Sequence, residues 1–255
     1  MATFQLRPLS TGEILDGALA LLRRYFALLF GVAVVCEGLP TAVDVYVDLS
    51  GGSSSHAGLA LLDRLLSAVG TLLVVGATVR AVSRAYLGGV PELGDSIRYA
   101  GEKLGAVFGA SLVSSLVVLL ASLALVIPGI VVFCGYSVTA QVAALETPPS
   151  SSDALRRSWE LTKGFKGKAF VLWVVSFGLI LLVVAAIGFL GGVVSGAVGG
   201  FEPVVTVLLA FIGLLLYPLL SCVFTLFYYD LRVRKEGFDL EVLSQQLGIA
   251  ARLQP

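Results

Sequence analysis

Long, uncharged apolar runs limit what this chain can fold into more than any other feature of its sequence. Residues 104–127 contain no charged side chain, and about 20 apolar residues are enough for a helix to cross the hydrocarbon core of a bilayer. Similar runs occupy 168–190 and 204–229. Only 13% of all residues are charged, whereas about 25% is typical of a soluble domain. The sequence therefore predicts an integral membrane protein.

The apolar runs are continuous rather than alternating, which favours helices over the strands of a transmembrane barrel. Six spans are predicted, at about 25–47, 60–83, 104–127, 130–146, 168–190 and 204–229. The predicted fold class is all-α: an integral membrane bundle of six transmembrane helices in a single domain, 1–255. Glu13 and Asp16 precede the first apolar run, which argues against a cleaved signal peptide.

Positive charge lies almost entirely on one side of the predicted spans. Sixteen of the seventeen lysines and arginines lie before span 1, between spans 2 and 3, between spans 4 and 5, or after span 6, mostly in the tail 230–255; Arg64 is the exception. Because cytoplasmic loops are enriched in Lys and Arg, this distribution predicts that both termini are cytoplasmic. The expected location is the cytoplasmic (inner) membrane, crossed several times.

Three segments on the charged side have the spacing of amphipathic helices, at 11–23, 92–103 and 153–163. In the last of them, the face opposite the charges holds Ala154, Leu155, Ser158, Trp159 and Thr162. Ser150 can cap this helix, and Ser10 with Glu13 can form a capping box on the first. We expect each helix to lie in the cytoplasmic interface and to lead into a membrane hairpin. The pattern is either a threefold repeat or the amphipathic character of any cytoplasmic loop of this length.

Four short motifs of the chain resemble one known family. They are LRPLSTGEILDGALALLRRYF at 6–26, IPGI at 127–130, ALRRSWELTKG at 154–164 and YYDLRVRKEGFDLE at 228–241. They resemble the glycerophosphoryl diester phosphodiesterase membrane-domain family, and together they bracket nearly the whole chain. The resemblance implies a bacterial or archaeal multi-spanning membrane domain. The family name derives from fusions to a phosphodiesterase barrel of about 250 residues, for which this chain has no room beside six spans, so phosphodiesterase activity is not expected.

Catalytic and metal-binding patterns are missing from the sequence. The single histidine, His56, follows Ser53–Ser55 in a Gly/Ser-rich loop, where a solvated turn is a plainer interpretation than a nucleophile with its base. Cys36, Cys134 and Cys222 are far apart in sequence and form neither a CxxC pair nor a zinc pattern. We expect no enzyme activity, no metal, no cofactor and no nucleic-acid partner.

Two acidic residues fall inside predicted span 1. Glu37 is near mid-bilayer, and Asp44 follows seven residues later on the same helical face, with Pro40 between them. An ionisable residue at this depth costs at least a few kcal/mol and usually faces a bundle interior or a cavity. Gln141 in span 4 and Arg64 are the predicted partners of Glu37 and Asp44, respectively. Two interpretations stay open: Glu37 holds helices together, or the Glu37–Asp44 face is a substrate or proton path.

A glycine series marks the outer end of span 5. Gly188, Gly192, Gly196 and Gly200 recur at every fourth position, a spacing typical of close helix packing. A flexible outer segment and a dimer seam are the alternatives.

Nine residues on the charged side are predicted to contact anionic lipid headgroups. They are Arg23, Arg24, Arg156, Arg157, Trp159, Lys163, Arg232, Arg234 and Lys235. The basic tail could instead bind a cytoplasmic protein partner.

The leading functional prediction is a non-enzymatic structural or accessory subunit that organises lipid or partner proteins at the cytoplasmic membrane. The alternative is a transporter or permease-like protein that moves a small solute or lipid along the Glu37–Asp44 face. The expected partners are the bilayer, with its anionic headgroups, and a membrane or cytoplasmic protein.

Overall fold

The computed structural model describes residues 7–50, 57–146, 148–238 and 240, and all regular structure within them is α-helical. The helices are α1 (Thr11–Arg24), α2 (Phe26–Leu49), α3 (Ala57–Tyr86), α4 (Leu93–Ala124), α5 (Val126–Gly135), α6 (Thr139–Leu145), α7 (Ser151–Thr162), α8 (Lys166–Val198) and α9 (Glu202–Glu236). Six segments among them are long and apolar enough to cross a membrane: α2, α3, α4, α5 with α6, α8 and α9. The predicted all-α bundle of six spans is confirmed. The loop with Ser53–Ser55 and His56, and the tail beyond Leu240 with Arg252, lie outside the described residues.

Two of the three predicted interfacial helices, α1 and α7, are separate helices with the expected caps. The Glu13 amide donates to Ser10 Oγ at 3.2 Å, and the Ser10 amide donates to Glu13 Oε2 at 2.7 Å, which completes the capping box. The Asp153 amide donates to Ser150 Oγ at 3.2 Å. Helix α1 contacts α2, α8 and α9, and α7 contacts α4, α5, α6 and α9. Their apolar faces are therefore covered by protein, although the sequence predicted that they would face lipid.

The third predicted interfacial helix is not a separate element. Helix α4 runs without interruption from Leu93 to Ala124 and includes both the charged segment and span 3. Gly101 lies inside it, because a glycine in a helix interior costs only about 1 kcal/mol and does not by itself end the helix. The predicted threefold repeat therefore differs in its second copy.

The turn between spans 3 and 4 lies three residues before the position predicted. Leu125 has an extended backbone and separates α4 from α5, whereas the predicted turn residues Pro128 and Gly129 lie in the first turn of α5. A proline is tolerated there because the first turn of a helix lacks acceptors for its N–H groups. A Cβ at Gly129 would overlap Ser122 of α4, so glycine permits the close approach of these two helices.

Span 4 is broken into α5 and α6 by a turn at Tyr136–Val138. Two hydroxyls of α7 donate to the carbonyl of Gly135 at the break, Ser158 Oγ at 3.0 Å and Thr162 Oγ1 at 2.9 Å. The Trp159 ring lies where a Cβ at Gly135 would be. Helix α7 thus satisfies backbone groups that a broken membrane helix leaves unpaired.

The buried core lies at one end of the bundle, which we call the basic end. It consists of α1, α6, α7 and the C-terminal parts of α3 (74–86) and α9 (214–236), together with adjoining buried residues of α2, α4, α5 and α8. These are Leu29, Val107, Ala110, Cys134, Ala169 and Leu172. Residues 221–231 of α9 are all buried. The opposite end, which we call the distal end, consists of 38–49 of α2, 57–69 of α3, 112–124 of α4, 178–198 of α8 and 202–213 of α9. Most side chains there are exposed and apolar.

Candidate functional site

Glu37 lies halfway along α2 and points into the bundle. Its residue is 2% exposed, and its Oε1 accepts a hydrogen bond from Thr71 Oγ1 of α3 at 2.6 Å. A carboxylate inside a membrane bundle needs such a partner, because no water replaces the hydration that it loses. Glu37 and Thr71 therefore form the centre of the candidate site.

The site lies where the backbones of α2 and α3 come close together. A Cβ at Gly70 would be 2.6 Å from the Cys36 carbonyl oxygen and 2.9 Å from Glu37 Cδ, so only glycine fits. Pro40 has no N–H to donate to that same carbonyl, which is four residues earlier in α2. The proline and the glycine together shape the backbone around Glu37.

A second buried carboxylate, Asp63 of α3, was missed by the sequence analysis. It is 6% exposed, and its Oδ1 has no hydrogen-bond partner among the described residues. Asp63 interacts electrostatically with Glu37 and Asp44, which carry like charge, and with the neighbouring cation Arg64. Asp63 precedes Thr71 by eight residues, a spacing that places the two residues near one side of α3. The sequence alone does not show that this side of α3 faces α2, so Asp63 could not be grouped with Glu37.

Neither predicted partner takes the expected position. Thr71, rather than Gln141, is the hydrogen-bond partner that the structure gives Glu37. Gln141 lies in α6 at the basic end, and its Oε1 is buried without a hydrogen-bond partner among the described residues. Asp44 and Arg64 are both exposed, and the described residues include no ion pair between them. The acidic face is therefore completed by α3, not by α6.

A different polar cluster surrounds Asp230 at the basic end. Asp230 has a fully buried side chain and accepts hydrogen bonds from the Leu9 amide at 2.7 Å, Lys168 Nζ at 2.6 Å and Arg234 Nε at 2.9 Å. Lys168 Nζ and Arg234 also donate to the Leu9 carbonyl, at 2.5 and 2.8 Å. One carboxylate thus joins the segment before α1 to the start of α8 and the end of α9.

A second cluster joins α7 to α9 through Glu146. Arg157 Nε donates to Glu146 Oε2 at 2.7 Å, and Tyr228 OH donates to Glu146 Oε1 at 2.8 Å. Arg157 also pairs with Glu236, which accepts from Arg232 Nε at 2.9 Å. Burial alone would lower the pKa of Arg157, but the two carboxylates raise it above its ordinary value. These contacts hold α7 and α9 together at the basic end.

The predicted lipid-contacting residues divide into two groups. Those with contacts inside the protein are Arg157, Trp159, Arg232, Arg234 and Lys235. Lys235 donates to the Glu160 carbonyl, and Lys166 Nζ lies 3.0 Å from the centroid of the Trp159 ring. The other four, Arg23, Arg24, Arg156 and Lys163, are exposed. Among them, Arg24 lies over the ring of Tyr25 and Arg156 pairs with Glu160 one turn along α7. Lipid contact by these nine residues stays a prediction, and five of them also contact other parts of the chain.

The glycine series on α8 makes no close contact within the described structure. A Cβ at Gly188, Gly192 or Gly196 would meet no heavy atom within 4 Å. The close approach to α9 occurs instead at Gly191, where a Cβ would overlap Val205. Among the described residues, the predicted glycine face therefore packs against no other helix. The glycine that permits close packing is Gly191, which is next to Gly192 in the sequence.

The fold and these sites define a polytopic α-helical membrane protein. Among the described residues, no group of three or more His, Cys, Asp or Glu side chains could hold a metal ion. No protein-family model, curated protein or solved structure matches the chain. The resemblance to the glycerophosphoryl diester phosphodiesterase membrane-domain family is not tested by these comparisons and stays a prediction.

Proposed function

We propose that this protein is a non-enzymatic structural or accessory subunit that organises a partner membrane protein and its surrounding lipid. The observation that carries this proposal is the low burial of two spans. Only 11% of the most apolar 18-residue stretch of α4, and of α8, is buried in the chain, against 44% in α3. Two long helices thus offer most of their length to lipid or to another protein.

The open glycines of α8 favour a helix of another protein as the occupant. Membrane helices associate through close packing, and small residues in steps of four permit the shortest distances between backbones. Gly188, Gly192 and Gly196 offer such a surface, since a Cβ at any of them would meet no heavy atom of the described residues within 4 Å. The basic end supports this role, because the buried ion pair between Lys168 and Asp230 holds α8 against α9.

Native mass spectrometry after gentle extraction tests the proposal, with Gly192→Ile as the variant and Gly178→Ile as its control. Both glycines lie on α8 with open space before them, but only Gly192 belongs to the series. We expect a stoichiometric protein partner in the wild type and in Gly178→Ile, and its loss in Gly192→Ile. A wild-type protein that is extracted alone, or a partner retained by both variants, would contradict the proposal.

The exposed cations supply the lipid component of this function. Each Lys or Arg near an anionic surface contributes about 1 kcal/mol. Arg23→Glu with Arg24→Glu should therefore weaken binding to vesicles that contain anionic lipid and leave binding to neutral vesicles unchanged. Arg157 is unsuitable for this test, because its reversal would break the buried pair with Glu146. Unchanged binding by the double variant would remove the lipid component.

A second candidate function is transport of a small solute or lipid, and the buried carboxylates Glu37 and Asp63 favour it. Intramembrane acids that face a bundle interior often mark pathways. Glu37→Gln keeps the shape of the side chain and removes its charge. Transport lost with the fold intact would support this candidate, whereas unchanged transport would exclude a role for Glu37.

A further inference from the structure

Polar residues recur on α9 at every fourth position. They are Tyr217, Ser221, Thr225 and Tyr229, and residues four apart lie on one helical face. Ser221 Oγ donates to the Val75 carbonyl at 3.4 Å, and Tyr229 OH lies 2.5 Å from Ser83 Oγ. Both contacts join residues 146 positions apart. Helices α3 and α9 therefore run side by side in one register, along a polar seam.

The same register places Glu37 on this seam. Tyr217 is 146 residues beyond Thr71, which donates to Glu37 Oε1, and Tyr217 interacts electrostatically with Glu37 and Asp44. Glu37 from α2, Thr71 from α3 and Tyr217 from α9 thus lie at one level of the bundle. We call these three helices and their shared polar face the α2–α3–α9 seam.

Two buried side chains in this seam have polar atoms with no hydrogen-bond partner among the described residues. They are Asp63, at Oδ1, and Thr78, at Oγ1. Thr78 is fully buried and lies seven residues, or two helical turns, beyond Thr71 on the same face. Leaving such a group unpaired costs about 1–3 kcal/mol. Asp63 and Thr78 lie on either side of Glu37 along the seam, so the unpaired groups point to a ligand that moves through it.

Both flanking helices contain a proline near Glu37. Pro40 in α2 and Pro218 in α9 are buried inside their helices. Neither has an N–H for the carbonyl four residues earlier, which belongs to Cys36 in α2 and to Leu214 in α9. Each proline therefore removes one helical hydrogen bond at the level of Glu37, although both helices remain continuous.

We propose that Glu37 is a proton-binding site, and that its proton exchanges along the α2–α3–α9 seam with the distal side through Asp63 and Asp44 and with the basic end past Thr78. This inference rests on transport, the second candidate function. During loading, the carboxyl group of Asp63 gives its proton to water in the seam, and that water gives a proton to a carboxylate oxygen of Glu37. A direct transfer is too long, because the eight residues from Asp63 to Thr71 span roughly 12 Å at 1.5 Å per residue. Asp63 regains a proton from the distal side through Asp44.

The spacing of the acids favours a proton over a metal cation. Hard cations need several oxygen ligands in one shell, whereas Glu37 and Asp44 are seven residues apart, or roughly 10 Å along α2 at 1.5 Å per residue. A proton needs only one acceptor at a time. Thr71 Oγ1 can continue to donate to Glu37 Oε1 in either protonation state, provided that the added proton occupies Oε2.

The first test is the reaction of the purified protein with dicyclohexylcarbodiimide, followed by peptide mass spectrometry. The reagent is apolar and attacks protonated carboxyl groups, so Glu37 should be labelled and its labelling should fall as the pH rises. Glu202, an exposed acid in the first turn of α9, is the internal control and should remain unlabelled. An unlabelled Glu37 at acidic pH, or labelling that is independent of pH, would overturn the proposal.

The second test measures proton flux in liposomes that contain a pH-sensitive dye, driven by a potassium gradient with valinomycin. The wild type and Glu202→Gln should carry protons faster than protein-free vesicles, and Glu37→Gln should fall to the protein-free rate. Asp63→Asn should slow the flux. Wild-type vesicles as slow as protein-free ones, or Glu37→Gln as fast as the wild type, would overturn the path. A requirement for sodium would identify a metal cation instead and overturn the proton assignment.

Two controls separate this proposal from folding and from the other functions. Size-exclusion chromatography shows whether Glu37→Gln is folded, and Thr71→Ser, which keeps the hydroxyl, should restore flux lost in Thr71→Val. A merely structural Glu37 would leave flux unchanged in a folded Glu37→Gln protein. A wild-type protein that carries no protons but keeps its partner would overturn the proton path and leave the accessory function standing. A wild-type protein that carries protons but has no partner would do the reverse.

Discussion

The basic end and the distal end of this bundle satisfy their polar groups in opposite ways. At the basic end, buried Asp230 accepts three hydrogen bonds and carries two cationic partners. Towards the distal end, buried Asp63 retains an oxygen without a partner among the described residues. Both are aspartates inside an apolar protein, but Asp230 is surrounded by donors and cations, whereas Asp63 lies near the acids Glu37 and Asp44.

This difference separates the part of the chain that buried ion pairs stabilise from the part in which we propose that a proton binds. A buried charge with matched partners fixes several helices together, but the loss of one partner is costly. A buried acid with an unpaired oxygen lowers stability, and inside a membrane protein such an acid is a candidate functional residue. The basic end therefore stabilises the fold, and the α2–α3–α9 seam is the candidate functional site.

The largest effect is expected from Asp230→Asn at the basic end. The change leaves Lys168 and Arg234 without their shared countercharge, and breaking a buried pair in this way costs about 3–5 kcal/mol. The free energy of unfolding, measured by SDS titration with circular dichroism, should fall by this amount. Glu102→Gln removes only an exposed pair with Arg98 and should change it by less than about 0.5 kcal/mol. If the two substitutions lowered the free energy of unfolding equally, the buried pairs at Asp230 would be no more stabilising than an exposed pair, and the prediction would be wrong.

A smaller loss is expected from Gly135→Ala at the break in span 4. The added Cβ would overlap the Trp159 ring, and overpacking of this kind costs about 1–3 kcal/mol. Gly178→Ala, in the open part of α8, should be neutral or stabilising by up to about 1 kcal/mol. Reactivity of the buried thiols Cys134 and Cys222 during heating reports both changes. A stable Gly135→Ala protein would show that α7 can move away from α5.

Thr71→Val measures the contribution of the hydrogen bond between Thr71 and Glu37 to the free energy of unfolding, which we expect to be small. Hydrogen bonds between membrane helices contribute about 0.6 kcal/mol on average, so the same SDS titration should show a loss of that size. A loss as large as that of Asp230→Asn would mean that Glu37 holds the helices together, and the contrast between the two ends would then fail.

The smallest effect concerns the pH dependence of the cap on α1. Hydrogen bonds from the Ser10 backbone, and then from Arg7 and the Ser10 hydroxyl, lower the pKa of Glu13 from 4.5 to about 2. Because the carboxylate form is favoured by folding, its contribution is complete above about pH 4.5 and is lost as the pH falls towards 2. Amide hydrogen exchange in the first turn of α1 should accelerate over this range. Glu13→Gln should abolish the pH dependence, and an unchanged profile in that variant would assign it to another group.

Much of the architecture could be predicted because it follows from local chemistry. The continuous apolar runs predicted six spans, and the capping patterns at Ser10 and Ser150 predicted where α1 and α7 begin. The break after Gly135 could not be predicted, because its cost is offset by Ser158 and Thr162 from a distant helix. The packing role of Trp159 was missed for the same reason.

The candidate site was half predicted. Glu37 was identified because a single acid in an apolar run is costly wherever the helix packs. Asp63 was overlooked beside Arg64, since nothing local distinguishes a buried acid from an exposed one near the end of a span. The four-residue spacing on α9 was readable in the sequence, but only its register with α3 shows that Tyr217 lies level with Thr71.

The sequence by itself determined that the chain is helical, that it crosses a membrane several times, and that its charges gather on one side of its spans. These properties depend on hydrophobicity and spacing along a single helix. Only the tertiary structure decided which charges bind each other, which glycines separate helices, and which acids lack partners. Each of these depends on atoms that are distant in sequence, and a hydrogen bond extends only about 3 Å.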